Sequence, residues 1–158
     1  VSTRLRAAAC AALAGGMMAA CSGTEVPLEP VTPGSPALEV NVLSSRTTFM
    51  QGDSTRITVT LRNVSSRPIR VTFPNSCTIV YAIRTTAGAL VVPAGGGWAC
   101  DQIISRIDLD RLEATQRAFK WTGEGVPAGE YLVYGALGQE MTSVSAAVHV
   151  TVTPAPTP

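Results

Sequence analysis

The sequence predicts an all-β fold, an antiparallel Ig-like β-sandwich, and three observations carry that prediction. Apolar residues recur with period two, not 3.6, through most of residues 38–153. Turn signals separate the runs: Gln51-Gly52-Asp53, residues 63–68, Pro74-Asn75 and residues 126–129. Each run is apolar on one face and polar on the other, the pattern of two sheets that share one core.

The strands follow in order. Leu38, Val40 and Val42 alternate with Glu39 and Asn41. Ile57, Val59 and Leu61 alternate with Arg56, Thr58, Thr60 and Arg62. Ile69, Val71 and Phe73 make a third strand. Ile79, Tyr81 and Ile83 make a fourth, ended by a turn at Ala87-Gly88, and residues 90–92 return from it. Residues 101–116 are ambiguous, because Ile103, Ile104, Ile107 and Leu112 fit a helical stripe and a strand equally well. They are read as a loop or short strand, followed by a strand over 114–121. Tyr131, Val133, Gly135 and Leu137 form the next strand, and Val144, Ala146, Val148, Val150 and Val152 the last. Phe49, Phe73, Trp121 and Tyr131 are expected in the core.

The 158 residues are 46% hydrophobic, enough for one domain with a real core. What precedes the sandwich reads differently. Arg4 and Arg6 are followed by a small apolar run over 7–20, then by Cys21 and the polar Ser22-Gly23. Charge, apolar stretch and small residues at the cut are the layout of a secretory signal peptide. A Cys directly after Met18-Ala19-Ala20 resembles the lipobox of bacterial lipoproteins, in which that Cys is acylated and becomes the first mature residue. A transmembrane anchor is the first alternative, although the run is shorter than the ~20 residues a bilayer needs. An ordinary signal peptide cut elsewhere is the second. Residues 22–37 carry prolines at 27, 30, 33 and 36. Such density favours an extended tether. The expected divisions are therefore a leader over 1–20, a lipidated Cys21 and linker over 21–37, a sandwich over 38–153, and a frayed tail over 154–158. This places the protein in the bacterial cell envelope, membrane-anchored through lipid and extracytoplasmic.

Lys and Arg total 12 and Asp and Glu total 11; without Arg4 and Arg6 the balance is 10 against 11. No basic block suggests nucleic-acid binding. Cys10 lies in the leader, which leaves Cys77 and Cys100 as a pair. In an exported domain a disulfide is the default reading. The rivals are a metal site, for which a structural zinc wants four nitrogen or sulfur ligands, and a redox pair, usually Cys-x-x-Cys.

No catalytic or metal-binding set is evident. His149 is the single histidine, and alternation puts it on the outer face, away from any Ser-His-Asp arrangement. Asp108, Asp110 and Glu113 lack the spacing of a calcium loop. No cofactor is implied. The candidate contact loop is Gly95, Gly96, Gly97 and Trp98. Three glycines cannot pack as a strand, so the loop is expected at the surface. Trp98 has two readings, an exposed anchor for a partner or a cover for the Cys77–Cys100 bridge. The turn over 84–89 joins this loop as a candidate contact.

Phe49-x-x-Gly52, Leu61-x-Asn63-x-Ser65-x-x-Pro68-Ile69 and Val71-x-Phe73 stand in order along the chain. Arg84-Thr-Thr-Ala-Gly88, Trp121-Thr-Gly123 and Pro127-Ala-Gly129-Glu-Tyr131 follow. Together they resemble the BsuPI-type intracellular proteinase inhibitor domain over most of residues 40–152. The resemblance implies an Ig-like sandwich and, by family name, proteinase inhibition with a proteinase as partner. Export and a disulfide depart from an intracellular activity, and fold transfers across such differences more safely than function. Physically, Gly52 and Gly129 suit turns. Asn63 and Ser65 can close a turn through side-chain hydrogen bonds, and Pro68 suits the start of a strand. The expected protein is an envelope lipoprotein with a non-catalytic Ig-like binding module and proteinase inhibition as its candidate activity. The alternative is a structural accessory domain of an envelope assembly.

Overall fold

The computed structural model describes residues 26–156; Cys21, the leader and the first part of the linker lie outside them. The described chain is built of strands: β1 (Glu29–Val31), β2 (Leu38–Ser44), β3 (Thr48–Met50), β4 (Ser54–Asn63), β5 (Ile69–Phe73), β6 (Ile79–Thr85), β7 (Leu90–Val92), β8 (Ser105–Leu109), β9 (Ala114–Thr122), β10 (Gly129–Leu137), β11 (Ser143–Val144) and β12 (Val148–Thr153). One sheet has the order β2-β4-β9 and a second β3-β12-β10-β6-β7, with β11 on β10. A third, β1-β5-β8, carries Ile69, Val71 and Phe73 into the same core.

Alternation decides which way most strands face; β6 differs, being buried on both faces from Ile79 to Ile83, where alternation predicted a polar, exposed side. Ile57, Val59 and Leu61 of β4 are fully buried while Arg56 and Arg62 are exposed. Val40 and Val42 of β2, Val133 and Leu137 of β10, and Val150 and Val152 of β12 complete the layer. Trp121 stands between Phe49 and Tyr131, with edge-on ring contacts at 5.1 and 5.6 Å. The Tyr131 hydroxyl donates to the Pro127 carbonyl at 2.6 Å, a corner typical of Greek-key sandwiches. A smaller cluster, Cys77, Val80 and Ala136, is covered by Cys100 and Met141.

Asn63 is a fully buried polar residue at the end of β4. Its Oδ1 accepts from the Ser65 N–H at 2.9 Å and the Ser65 hydroxyl at 2.7 Å. Its Nδ2 donates to the carbonyls of Arg67 at 2.7 Å and Asp110 at 2.9 Å. The turn expected from sequence is thus also the tie between the β4–β5 and β8–β9 connections.

Three features differ from expectation. Residues 29–31 of the expected tether form β1, which pairs in parallel with β5. The Glu29 N–H donates to the Pro68 carbonyl at 3.0 Å, one residue before β5 begins. An edge position tolerates the missing donor of Pro30. β3, which has no sequence signal beyond Phe49, pairs in parallel with β12. The last strand is not continuous. Val133 pairs with Val148 and Ala136 with Val144, so three steps on β10 face four on the opposing chain. The extra residue is a bulge. It reverses the facing of what precedes it, which leaves Val144 52% exposed although Val150 is buried.

Gly135 lies where the two main sheets approach closely. A Cβ there would lie 2.7 Å from Val59 Cγ1 and 3.4 Å from the Asn41 carbonyl oxygen. Gly135→Ala should therefore overpack the core and lower stability by about 2 kcal/mol, read as a lower urea midpoint at unchanged slope.

Candidate interaction site

The most distinctive surface is the segment that leaves β7 and reaches β8. β6 and β7 form a hairpin whose turn is closed by Thr85 and Ala89 backbone bonding at 2.9 Å and by the Arg84 guanidinium donating to the Gly88 carbonyl at 2.9 Å. After β7, Pro93 is buried and a short 3-10 turn covers Ala94–Gly96. Gly95 and Gly96 have φ of 75° and 86°. Two successive left-handed residues are the physical reason for glycine here.

Gly95, Gly96 and Gly97 are exposed, as expected, but Trp98 turns inward. Its ring lies 5.2 Å from Tyr81 and 6.5 Å from Phe119, while Tyr81 and Phe119 are 4.8 Å apart. The Arg117 guanidinium sits 5.3 Å above Phe119. Trp98 packs against both apolar clusters, so it acts as a cover for the open side of the sandwich. Its indole N–H is buried without a hydrogen-bond acceptor. Two residues on, Cys100 is bonded to Cys77, with Cα atoms 5.5 Å apart and 23 residues of separation. Closing that loop contributes about 3 kcal/mol by the chain-entropy relation.

Beyond the disulfide the chain stays pinned. The Asp101 N–H donates to the Ser76 hydroxyl at 2.8 Å, and the Ser76 N–H to the Asp101 carbonyl at 3.0 Å. Then Ile103 and Ile104 project outward, 59% and 69% exposed. At Ser105 the chain enters β8, antiparallel to β5. Arg70 and Asp108 face each other there with paired bonds of 2.7 and 2.8 Å. The hydrogen bonds from Arg70 hold the Asp108 carboxyl below its ordinary range, though so exposed a pair adds little stability. The sequence reading, a loop or short strand here, gives Ile103 and Ile104 no part in a contact surface. The available signal was their adjacency: in a half-buried strand, one of two neighbours should be polar.

The remaining candidates resolve locally. His149 is exposed on β12, opposite Leu132. Glu113 accepts from the Asp110 N–H at 2.7 Å and so closes the turn before β9. Among the described residues, no group of three or more His, Cys, Asp and Glu could hold a metal ion. An open groove of about 780 Å³ carries Arg46, Arg56 and Lys120 beside Ser45, Ser54 and Thr55. Burial raises the hydroxyl pKa values of Tyr81 and Tyr131. The expected lipid site, Cys21, lies outside the described residues.

Residues 42–141, more than half of the chain, match the family model described as BsuPI, intracellular proteinase inhibitor. No curated protein matches the sequence. Among solved structures, the chain is similar to part of the β-glucosidase EmGH1 of Erythrobacter marinus, at TM-score 0.47 and 14% identity, covering 73% of this chain and 15% of that one. It is similar to part of the alkylpurine DNA glycosylase AlkC of Pseudomonas fluorescens, at TM-score 0.49 and 9% identity, covering 74% and 30%. It is also similar to the CARDB domain of PF1109 from Pyrococcus furiosus, at TM-score 0.44 and 15% identity, covering 73% and 87%. The chain thus spans less than a third of the length of the two enzymes.

Trp98 substitutions separate a covering role from a purely exposed one. Trp98→Ala should lower stability by about 2 kcal/mol for a half-buried indole. Trp98→Phe keeps the apolar cover and removes an unpaired donor, so it should lie within about 1 kcal/mol of the parent. Urea unfolding of the oxidised protein reads both.

Proposed function

We propose a function from one premise: this chain belongs to the BsuPI family of intracellular proteinase inhibitors. In the proposal it is a non-catalytic module that binds and blocks a proteinase, held in the bacterial envelope by acylated Cys21. The observation that carries the inhibitor reading is the match over residues 42–141, which takes in the whole disulfide-anchored segment from Pro93 to Ser105. That segment has what a blocking loop needs physically. Its stem is packed through Trp98 and bonded through Cys100, and its outer residues are exposed. Ordering it on binding therefore costs little entropy.

The envelope part of the proposal draws on the leader and on sulfur chemistry. Arg4, Arg6, the apolar run and Cys21 make the export and lipid signal. The Cys77–Cys100 bridge supports an oxidising compartment. Because residues 29–31 join the domain as β1, only residues 22–28 would separate it from the lipid. Seven extended residues reach about 25 Å, so the domain would work close to the membrane that carries it.

Titration of the full chain, purified in detergent, against a panel of serine proteinases tests inhibition. Loss of proteinase activity at micromolar inhibitor is expected, and an unchanged rate throughout would refute the reading. Mass spectrometry of the mature N-terminus tests the anchor. An acylated Cys21 is expected, whereas an unmodified terminus elsewhere would remove it.

A further inference from the structure

We infer that Ile103 and Ile104 are the residues this inhibitor presents to its target's specificity cleft, and that the target is a proteinase whose cleft accepts branched aliphatic side chains. The inference rests on the inhibitor reading and adds to it a site and a partner class.

The first argument is exposure. Leu43, Met50 and Val144 are exposed singly on strands, and Val26, Val64 and Leu112 singly outside them. Ile103 and Ile104 are adjacent, both more than half exposed, and outside any strand. Scattered apolar side chains need no explanation, but a protruding pair on an anchored segment has the form of an interface anchor. The glycine loop cannot serve this way. Gly95, Gly96 and Gly97 have no side chains to insert, and Trp98 is committed to Tyr81 and Phe119.

The second argument is preorganisation. Cys100 is fixed to Cys77, Asp101 is bonded twice to Ser76, and Ser105 is paired with Phe73. The Ile103 N–H also donates to the Asp101 carbonyl at 2.9 Å. Only a short span between these fixed points is left for binding to order.

The third argument is the open edge. Among the described residues β8 is the last strand in its sheet and pairs with β5 alone. Proteinases hold substrate chains extended, by main-chain hydrogen bonds with alternate side chains in pockets. A segment running into a free-edged strand suits that mode of binding.

Position agrees with tethering. Leu109 pairs with Ile69, which also pairs with Glu29 where the linker joins. Ser105 pairs with Phe73, four residues further on, about 13 Å away. The isoleucines therefore lie beyond the end of β8 remote from the anchor, accessible to a target.

The test uses the full chain in detergent against an elastase-type serine proteinase, which accepts small branched side chains, and a trypsin-type one, which requires Arg or Lys. The parent should inhibit the first. The double variant Ile103→Asp, Ile104→Asp should weaken inhibition roughly 30-fold or more, the loss expected of a hot-spot anchor. Val144→Asp, an exposed control elsewhere, should leave it unchanged. Ile104→Arg should move inhibition toward the trypsin-type enzyme, a gain that loss of folding cannot imitate. Unfolding midpoints equal to the parent's establish that the variants fold. Undiminished inhibition by the double variant, or a parent that inhibits only the trypsin-type enzyme, overturns this inference and leaves the inhibitor reading standing. An Ile pair that instead joins two copies overturns it too, and would show as a dimer dissociated by the double variant at constant inhibition. A parent that inhibits neither these enzymes nor the wider panel removes the reading and the inference together.

Discussion

The structure depends on one apolar layer shared by sheets that approach closely. β4 contributes Ile57, Val59 and Leu61 from one side, and β10 contributes Tyr131, Val133 and Leu137 from the other. At Gly135 the sheets come so near that a single methyl group would strike Val59. Interiors packed to crystal-like density transmit such constraints over their whole area. The third sheet is held by the same layer, because Ile69, Val71 and Phe73 have no other place to bury. The fold is thus one core with three sheets around it.

Polar chemistry works at the margins of that core. Asn63 is buried, yet both ends of its amide are bonded, and its partners lie on two different connections. A buried amide satisfied on every side is tolerated, and it specifies geometry as an apolar residue would not. The Tyr131 hydroxyl does the same for the turn that precedes β10. These contacts give Asn63, Ser65 and Tyr131, which lie along the family resemblance, a structural part: they close turns and tie connections.

The segment between β7 and β8 follows a different logic. Buried Pro93, half-buried Trp98, the Cys77–Cys100 bridge and the Asp101–Ser76 bonds secure it to the sandwich, and the Ile103 and Ile104 side chains face solvent. The stem is thus fixed to the sandwich while the side chains of Ile103 and Ile104 are left in solvent. This is the arrangement an inhibitor needs, since a blocking segment must be rigid without being buried.

Period two and turn residues determined the fold class, the positions of the central strands along the chain and the core aromatics Phe49, Phe73, Trp121 and Tyr131. Alternation is a local property, and one buried face suffices to impose it. The pairing of Cys77 with Cys100 follows from counting sulfurs once Cys10 and Cys21 are read as leader and lipid site, and the turn at Asn63 and Ser65 from side-chain chemistry. Tertiary structure alone decided what depends on a distant neighbour. β1 and β3 are three-residue strands that exist because β5 and β12 offer free edges, and no three-residue pattern announces that. The bulge before β12 is a count of residues between two pairings, so the facing of Val144 could not be read from its own surroundings. Trp98 and Ile104 are both large and apolar in sequence. One is drawn inward by Tyr81 and Phe119, and the other projects from the pinned span before the edge strand β8. Their fates differ because burial is a relation between parts of the chain that only folding brings together.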